Sequence, residues 1–118
     1  MPKQNTFFQK IIPTTEVIPG YKVNFFHTDN MTVAHWNIKA GAPLPEHAHP
    51  QEQIANIISG SFELTIDGIT KICKSGSMTI IPANAKHRGR AITDCRIIDV
   101  FSPVREDYKN KYPDSRIP

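Results

Sequence analysis

His47 and His49 flank a single alanine in the stretch Glu46 to Pro50, Gln53 follows four residues later, and a third histidine, His87, closes the run from Pro82. Neutral imidazole nitrogens and an amide oxygen are ligands for borderline transition metals. Brought to one place, the four would hold a divalent ion through three nitrogens and one oxygen. Side chains two apart on an extended strand leave by the same face, which predicts that His47 and His49 point together. Glu52 alternates with Gln53 and is read as pointing outward, solvated. Three imidazoles gathered in apolar surroundings would be costly to desolvate without a cation, so metal is favoured over a bare polar pocket. The ligand types do not choose among nickel, zinc, iron, manganese and cobalt.

A second constellation lies towards the C-terminus. Ile97, Asp99 and Phe101 share one face of an alternating run, opposite Ile98 and Val100, so a carboxylate sits among apolar groups. A buried carboxylate is either a hydrogen-bonded structural acid or a proton-transfer group, and the residues alone leave both open. Phe101 is a core residue or a cavity wall offering a ring face to a ligand. Arg105 follows Pro103 by two; it pairs at the surface with Glu106 or Asp107, or it clamps a substrate carboxylate.

The elements that must position these groups read as strands. Ten prolines and six glycines punctuate short segments rich in Ile, Val, Thr and Phe, the pattern of an all-β chain. Alternating runs cover 21–28, 31–39, 53–59, 61–67, 69–74, 78–81, 87–93 and 95–102. Ala34, Trp36 and Ile38 share one inward face, and Phe62, Leu64 and Ile66 another. Asp67-Gly68 is a type I′ hairpin signal. Strands recurring every eight to twelve residues predict a sandwich or barrel over residues 21–104. Residues 1–20 form an N-terminal arm or edge strand, and residues 105–118 a tail with a short packed turn and a loose end. His27 and His35, lone histidines on strands, are assigned structural roles.

A chain of 118 residues buries about two thirds of its unfolded surface, enough for one core and one domain. Its 14 basic and 11 acidic residues are mixed along the sequence with a net charge of +3, which argues against a nucleic-acid partner. The N-terminus lacks a signal-like apolar stretch and no apolar run approaches spanning length, so the expectation is a soluble cytoplasmic protein without a membrane partner. Cys73 and Cys95, outside any CxxC motif, are expected to be buried free thiols. Phe7, Phe8, Ile11 and Ile12 in the arm exceed what one small barrel's edge needs, which predicts a homodimer.

The spacing of Gly41, His47, His49, Gln53 and Gly60, followed by Gly76, Pro82 and His87, resembles the two motifs of the cupin family. That resemblance implies a jelly-roll barrel, a double-stranded β-helix, with His47, His49, Gln53 and His87 directed into its mouth. Three positions depart from the pattern: Gln53 stands for the usual glutamate, Asn84 for a glycine, and Ala91 for an asparagine. Asparagine tolerates the left-handed backbone that glycine would supply. An amide ligand brings no charge, so the dication keeps its full polarising power, which suits Lewis-acid chemistry.

The tail from Thr93 to Tyr108, with Asp99, Phe101 and Arg105 spaced Asp-x-Phe-x-x-x-Arg, resembles the KdgF group of cupins, the pectin degradation proteins. The group uses three histidines and a glutamine for its metal. Its activity implies ring opening of a 4,5-unsaturated uronate monosaccharide to linear 5-keto-4-deoxyuronate, with Asp99, Phe101 and Arg105 at the substrate, an acidic sugar. A dioxygenase of the quercetinase kind and a non-catalytic small-molecule-binding cupin are the other readings.

Overall fold

The computed structural model describes residues 6–113. After a 3-10 turn at Gln9–Ile11, ten strands follow: β1 Thr15–Ile18, β2 Tyr21–His27, β3 Thr32–Ile38, β4 Pro43–His47, β5 Glu52–Ser59, β6 Ser61–Ile66, β7 Ile69–Lys74, β8 Met78–Ile81, β9 His87–Ala91 and β10 Cys95–Ser102. A helix, α1 Glu106–Lys111, comes after them. The strands form a six-stranded antiparallel sheet, β1-β2-β3-β10-β5-β8, and a four-stranded one, β4-β9-β6-β7. The all-β jelly-roll expectation is met.

Alternation places the core. Val23 and Phe25 of β2, Ala34, Trp36 and Ile38 of β3, Ala55 and Ile57 of β5, and Ile97 and Phe101 of β10 are buried on the inner face of the large sheet, against Phe62 and Leu64 of the small one. Asp99 shares that inner face. Two rows of side chains from twisted antiparallel sheets thus enclose one interior, the arrangement that lets strand ends project functional groups into a mouth.

Turn chemistry follows the residue types. Asp67 and Gly68 both have positive φ (47° and 82°), as a type I′ turn joining β6 and β7 requires. Asn84 takes the left-handed conformation at φ 64°, and its N–H donates to the His49 carbonyl at 2.8 Å. This ties the loop before His87 to the loop carrying His49.

Two expectations are corrected. The strand expected to carry both His47 and His49 ends at His47; Pro50 lacks the N–H a ladder needs, and His49 lies in the connection to β5. The tail holds a helix instead of a turn, because Tyr108 and Tyr112 are spaced i, i+4 and pack together against the core. The N-terminal arm carries the strand at the sheet edge, β1. Phe7 meets Phe26 in a tilted ring contact at 5.8 Å, Ile12 is buried, and β1 pairs with β2 at the sheet edge. Ile12 is thus satisfied within its own chain, while Phe8 is exposed.

Candidate metal centre

The three histidines converge from three different backbone positions. His47 and His87 are register partners across β4 and β9, with ring centroids 4.1 Å apart. His49 enters from the loop, 4.9 Å from His87. Candidate ligand nitrogens of the three all lie within 4.8 Å of one another. His49, His87 and Gln53 are buried, and His47 is half-buried. Glu52 is exposed, as alternation with Gln53 predicts.

Second partners fix the tautomers. His47 donates Nδ1–H to the Pro45 carbonyl at 2.8 Å, His49 to that of Gln51 at 3.0 Å, and His87 to that of Ala85 at 2.9 Å. A carbonyl can only accept, so each Nδ1 carries the proton and each Nε2 keeps its lone pair. The Nε2 of His49 then meets Gln53 Oε1 at 3.1 Å. With the Gln53 oxygen facing it, the two acceptors form a pair that a cation would join. Burial, with the positive charges of Arg105 and His87 adding to it, lowers the His49 pKa to about 4, so no proton is available there at neutral pH. The donor set fits a divalent transition metal. Burial also lowers the His87 pKa, with the Ala85 hydrogen bond opposing.

Beside the histidines a cavity of about 270 Å3 runs between the sheets, bordered by His47, Gln53, His87, Asp99, Phe101 and Arg105. Its remaining wall is mostly apolar and aromatic, including Trp36 and Tyr108. Gln53 and Phe101 are register partners, and Phe101 also meets the His49 ring edge-on at 5.5 Å. Asp99 is buried in the cavity wall, and burial pushes its pKa up to about 7 against the opposing pull of Gln53, Trp36 and Arg105. Trp36 Nε1 and Asp99 Oδ1 are both buried without a hydrogen-bond partner. Oδ1 thus keeps an unspent acceptor position, which suits a group that exchanges protons with a ligand.

Arg105 is buried, with its backbone N–H on Thr32 Oγ1 at 3.0 Å. The neighbouring Val104 carbonyl accepts from Gln51 Nε2 at 3.1 Å. Its guanidinium lies 3.9 Å from the Tyr108 ring centroid and 4.9 Å from that of Phe101. Burial opposes its charge, but Asp107 and Tyr108 outweigh burial and raise its pKa. Asp99, Phe101, Arg105, His47, Gln53 and His87 thus border one space, and His49 packs behind it against Phe101.

The family profile described as Cupin domain matches residues 34–101, more than half of the chain. This chain is a cupin. It is 31% identical over 83 residues to the pectin degradation protein KdgF of Dickeya dadantii, covering 69% of this chain and 76% of that protein. It is 29% identical over 102 residues to H2HPP isomerase of Bacillus subtilis; that match takes in 84% of this chain but spans only 43% of the relative's length. Among solved structures, KdgF from Halomonas sp. superposes with a TM-score of 0.82 at 26% identity, over 89% of this chain and 98% of that one.

Two residues of the cupin's cavity escape a reading of the sequence. Trp36 is predicted inward but not as a neighbour of Asp99, because the β3–β10 pairing that brings them together is non-local. Tyr108 is hidden in a charged, proline-tipped tail; its i, i+4 spacing with Tyr112 is the signal that marks it. His27 and His35 lie outside the metal cluster, and His27 bridges Thr32 Oγ1 (2.9 Å) and the Tyr112 carbonyl (3.2 Å). Both cysteines are buried and free. Among the described residues no helix is long and apolar enough to cross a membrane.

Proposed function

We propose that this cupin opens the ring of a 4,5-unsaturated uronate monosaccharide to the linear 5-keto-4-deoxyuronate. The observation that carries the reading is the meeting of an enclosed carboxyl, Asp99, and a guanidinium, Arg105, with three converging imidazoles around one cavity. The likeness to KdgF proteins supports it.

His47, His49, His87 and Gln53 would hold one divalent transition metal, which supplies Lewis-acid stabilisation of negative charge developing on oxygen. The rest of the chemistry belongs to the chain. The reaction is an isomerisation: the anomeric hydroxyl loses its proton, the bond from C1 to the ring oxygen breaks to leave an aldehyde at C1, and the resulting enol at C5 becomes a ketone as C4 gains a proton. Atoms and electrons balance without an oxidant. Asp99 is the residue that takes a proton from oxygen and delivers one to C4, and its raised pKa matches a group that must hold and release a proton near neutrality. Arg105 holds the substrate carboxylate. Asp107 takes its Nε and Nη2 at 2.9 and 2.7 Å, so the substrate meets the Nη1 side. Phe101 and Tyr108 wall the cavity and exclude water around the guanidinium.

The test is an assay of the metal-loaded protein on unsaturated galacturonate and mannuronate monomers, with dissolved oxygen followed in parallel. Ring opening without oxygen uptake supports the proposal; oxygen uptake coupled to turnover would favour a dioxygenase, and binding without turnover a non-catalytic cupin.

A further inference from the structure

The cavity changes character along its depth, and the strand registers grade that change. At the level of the histidines, Gln53 of β5 is paired with Phe101 of β10, and His47 with His87 across β4 and β9. Two residues further in, Ala55 is paired with Asp99. Two further still, Ile57 is paired with Ile97, whose partner on the other side is Trp36. A two-residue step is about 7 Å along a strand, so the wall descends roughly 13 Å from the metal candidates to Ile57. The small sheet descends in the same way, from Ile66 beside His87 to Leu64 beside Gly89 and Phe62 beside Ala91. Ile57, Ile97, Trp36, Leu64 and Phe62 all border the cavity. Past Asp99, among the described residues, the wall brings one hydroxyl, that of Tyr21, and it donates to the Ala42 carbonyl at 3.0 Å. The inner chamber extends to half-buried Val17 and Ile18 of β1 and Leu44 of β4, the terminal strands of the two sheets.

From this gradient we infer that the cavity takes a second class of ligand beside a sugar acid: an aliphatic monocarboxylate, with its head on Arg105 and its hydrocarbon tail in the chamber beyond Asp99. Hydroxyls of a sugar would find no partners there, and would lose the hydrogen bonds they make to water. A hydrocarbon tail loses none and leaves water altogether. In a pocket with an apolar wall and few convergent polar groups, the wall supplies affinity and the polar groups orientation. Arg105 is the cation that orients an acid. Asp107 holds its Nε and Nη2 at 2.9 and 2.7 Å, so the guanidinium is fixed before a ligand arrives. Ala55, paired with Asp99, is the small side chain that leaves a passage between the polar end and the chamber. Such binding needs neither the metal nor ring opening.

The test is binding of acetate, butanoate, hexanoate and octanoate to the purified protein with its metal. Calorimetry measures affinity, and the fluorescence of Trp36, the chain's single tryptophan and part of the chamber wall, locates the ligand. Affinity is expected to climb about fourfold per added methylene from acetate to hexanoate, with Trp36 emission changing in step. Arg105→Ala should lower hexanoate affinity at least ~10-fold, and 1-hexanol, which has the tail without the carboxylate, should bind at least ~10-fold more weakly than hexanoate. Ile57→Phe, which fills the chamber, should flatten the series and leave acetate unchanged. Ile57→Ala, which enlarges it, should raise octanoate relative to hexanoate. Ile80→Lys, on the exposed outer face of β8, should change nothing. An affinity that does not rise with chain length, a rise that survives Ile57→Phe in folded protein, or a hexanoate affinity unchanged in Arg105→Ala would overturn the assignment. The assay contains no sugar, so its outcome and that of the ring-opening assay are read separately.

Discussion

Arg105 gives the two-pronged edge of its guanidinium to Asp107, Nε to Oδ1 at 2.9 Å and Nη2 to Oδ2 at 2.7 Å, while Asp107 is itself more than half exposed. One partner of the pair is in the wall of the cavity and the other is on the first turn of α1. Asp107 therefore sets the plane of the guanidinium, and Tyr108 beside it completes the stack. Arg105→Ala should raise KM for an acidic sugar by a loss on the order of 2–5 kcal/mol, with metal content intact. Asp107→Asn should cost about 1–2 kcal/mol of stability, less than for a fully enclosed pair because solvent reaches the carboxylate. Michaelis kinetics and thermal unfolding check the two expectations; an unchanged KM in Arg105→Ala would remove the carboxylate-holding role.

Metal occupancy should depend most on the histidines. His47→Ala or His87→Ala takes away one of four ligands and admits water, so metal per chain should fall sharply after identical purification, while Gln53→Ala is milder. Gln53→Glu should keep the metal and slow turnover, since a carboxylate neutralises one unit of its charge. Elemental analysis beside kinetics decides. Full occupancy in His87→Ala would rule out the site as described, and equal or faster turnover in Gln53→Glu would refute the Lewis-acid argument.

Asp99 makes a prediction in the metal-free protein. Between pH 3.8, the carboxyl's ordinary value, and about 7, the folded chain holds a proton that the unfolded chain has released, so this group's contribution to stability falls as pH rises through that window. Asparagine does not titrate. Asp99→Asn should therefore match the native protein below pH 4 and gain on it up to about pH 7, reaching on the order of 2–4 kcal/mol. Urea unfolding at a series of pH values measures the difference, and a constant difference across the window would mean that the carboxyl is not desolvated. In the metal-loaded protein, if it opens the uronate ring as proposed, the same substitution should lower kcat with KM nearly unchanged.

Much of this architecture is legible in the sequence because it depends on period 2. The inward faces of β3, β6 and β10, the Asp67-Gly68 turn and the exposure of Glu52 beside buried Gln53 all follow from alternation and residue type. The metal candidates are legible in their ligand chemistry and in the motif spacing that resembles cupins, not in alternation, since His49 reaches the site from a loop and not along a strand. What alternation cannot supply is pairing between distant strands. The approach of Trp36 to Asp99 rests on β3 lying beside β10, and the descent of the cavity wall from Gln53 to Ile57 appears only when β5 and β10 are set in register. The helix at the tail was obscured by its charges, since its lone apolar contacts are two tyrosines.

The account stands most directly on one measurement: the rate at which the C4=C5 ultraviolet absorbance of a purified 4,5-unsaturated uronate monomer disappears when the metal-replete protein is added. Reconstitution with nickel, zinc, iron, manganese and cobalt in turn covers the ions the donor set accepts. With at least one of them the absorbance should vanish at least ~100-fold faster than in buffer, with the linear keto acid as product, and the acceleration should be lost in folded Asp99→Asn. A folded, metal-replete native protein that leaves the decay of both the galacturonate-derived and mannuronate-derived monomers at the buffer rate would contradict it.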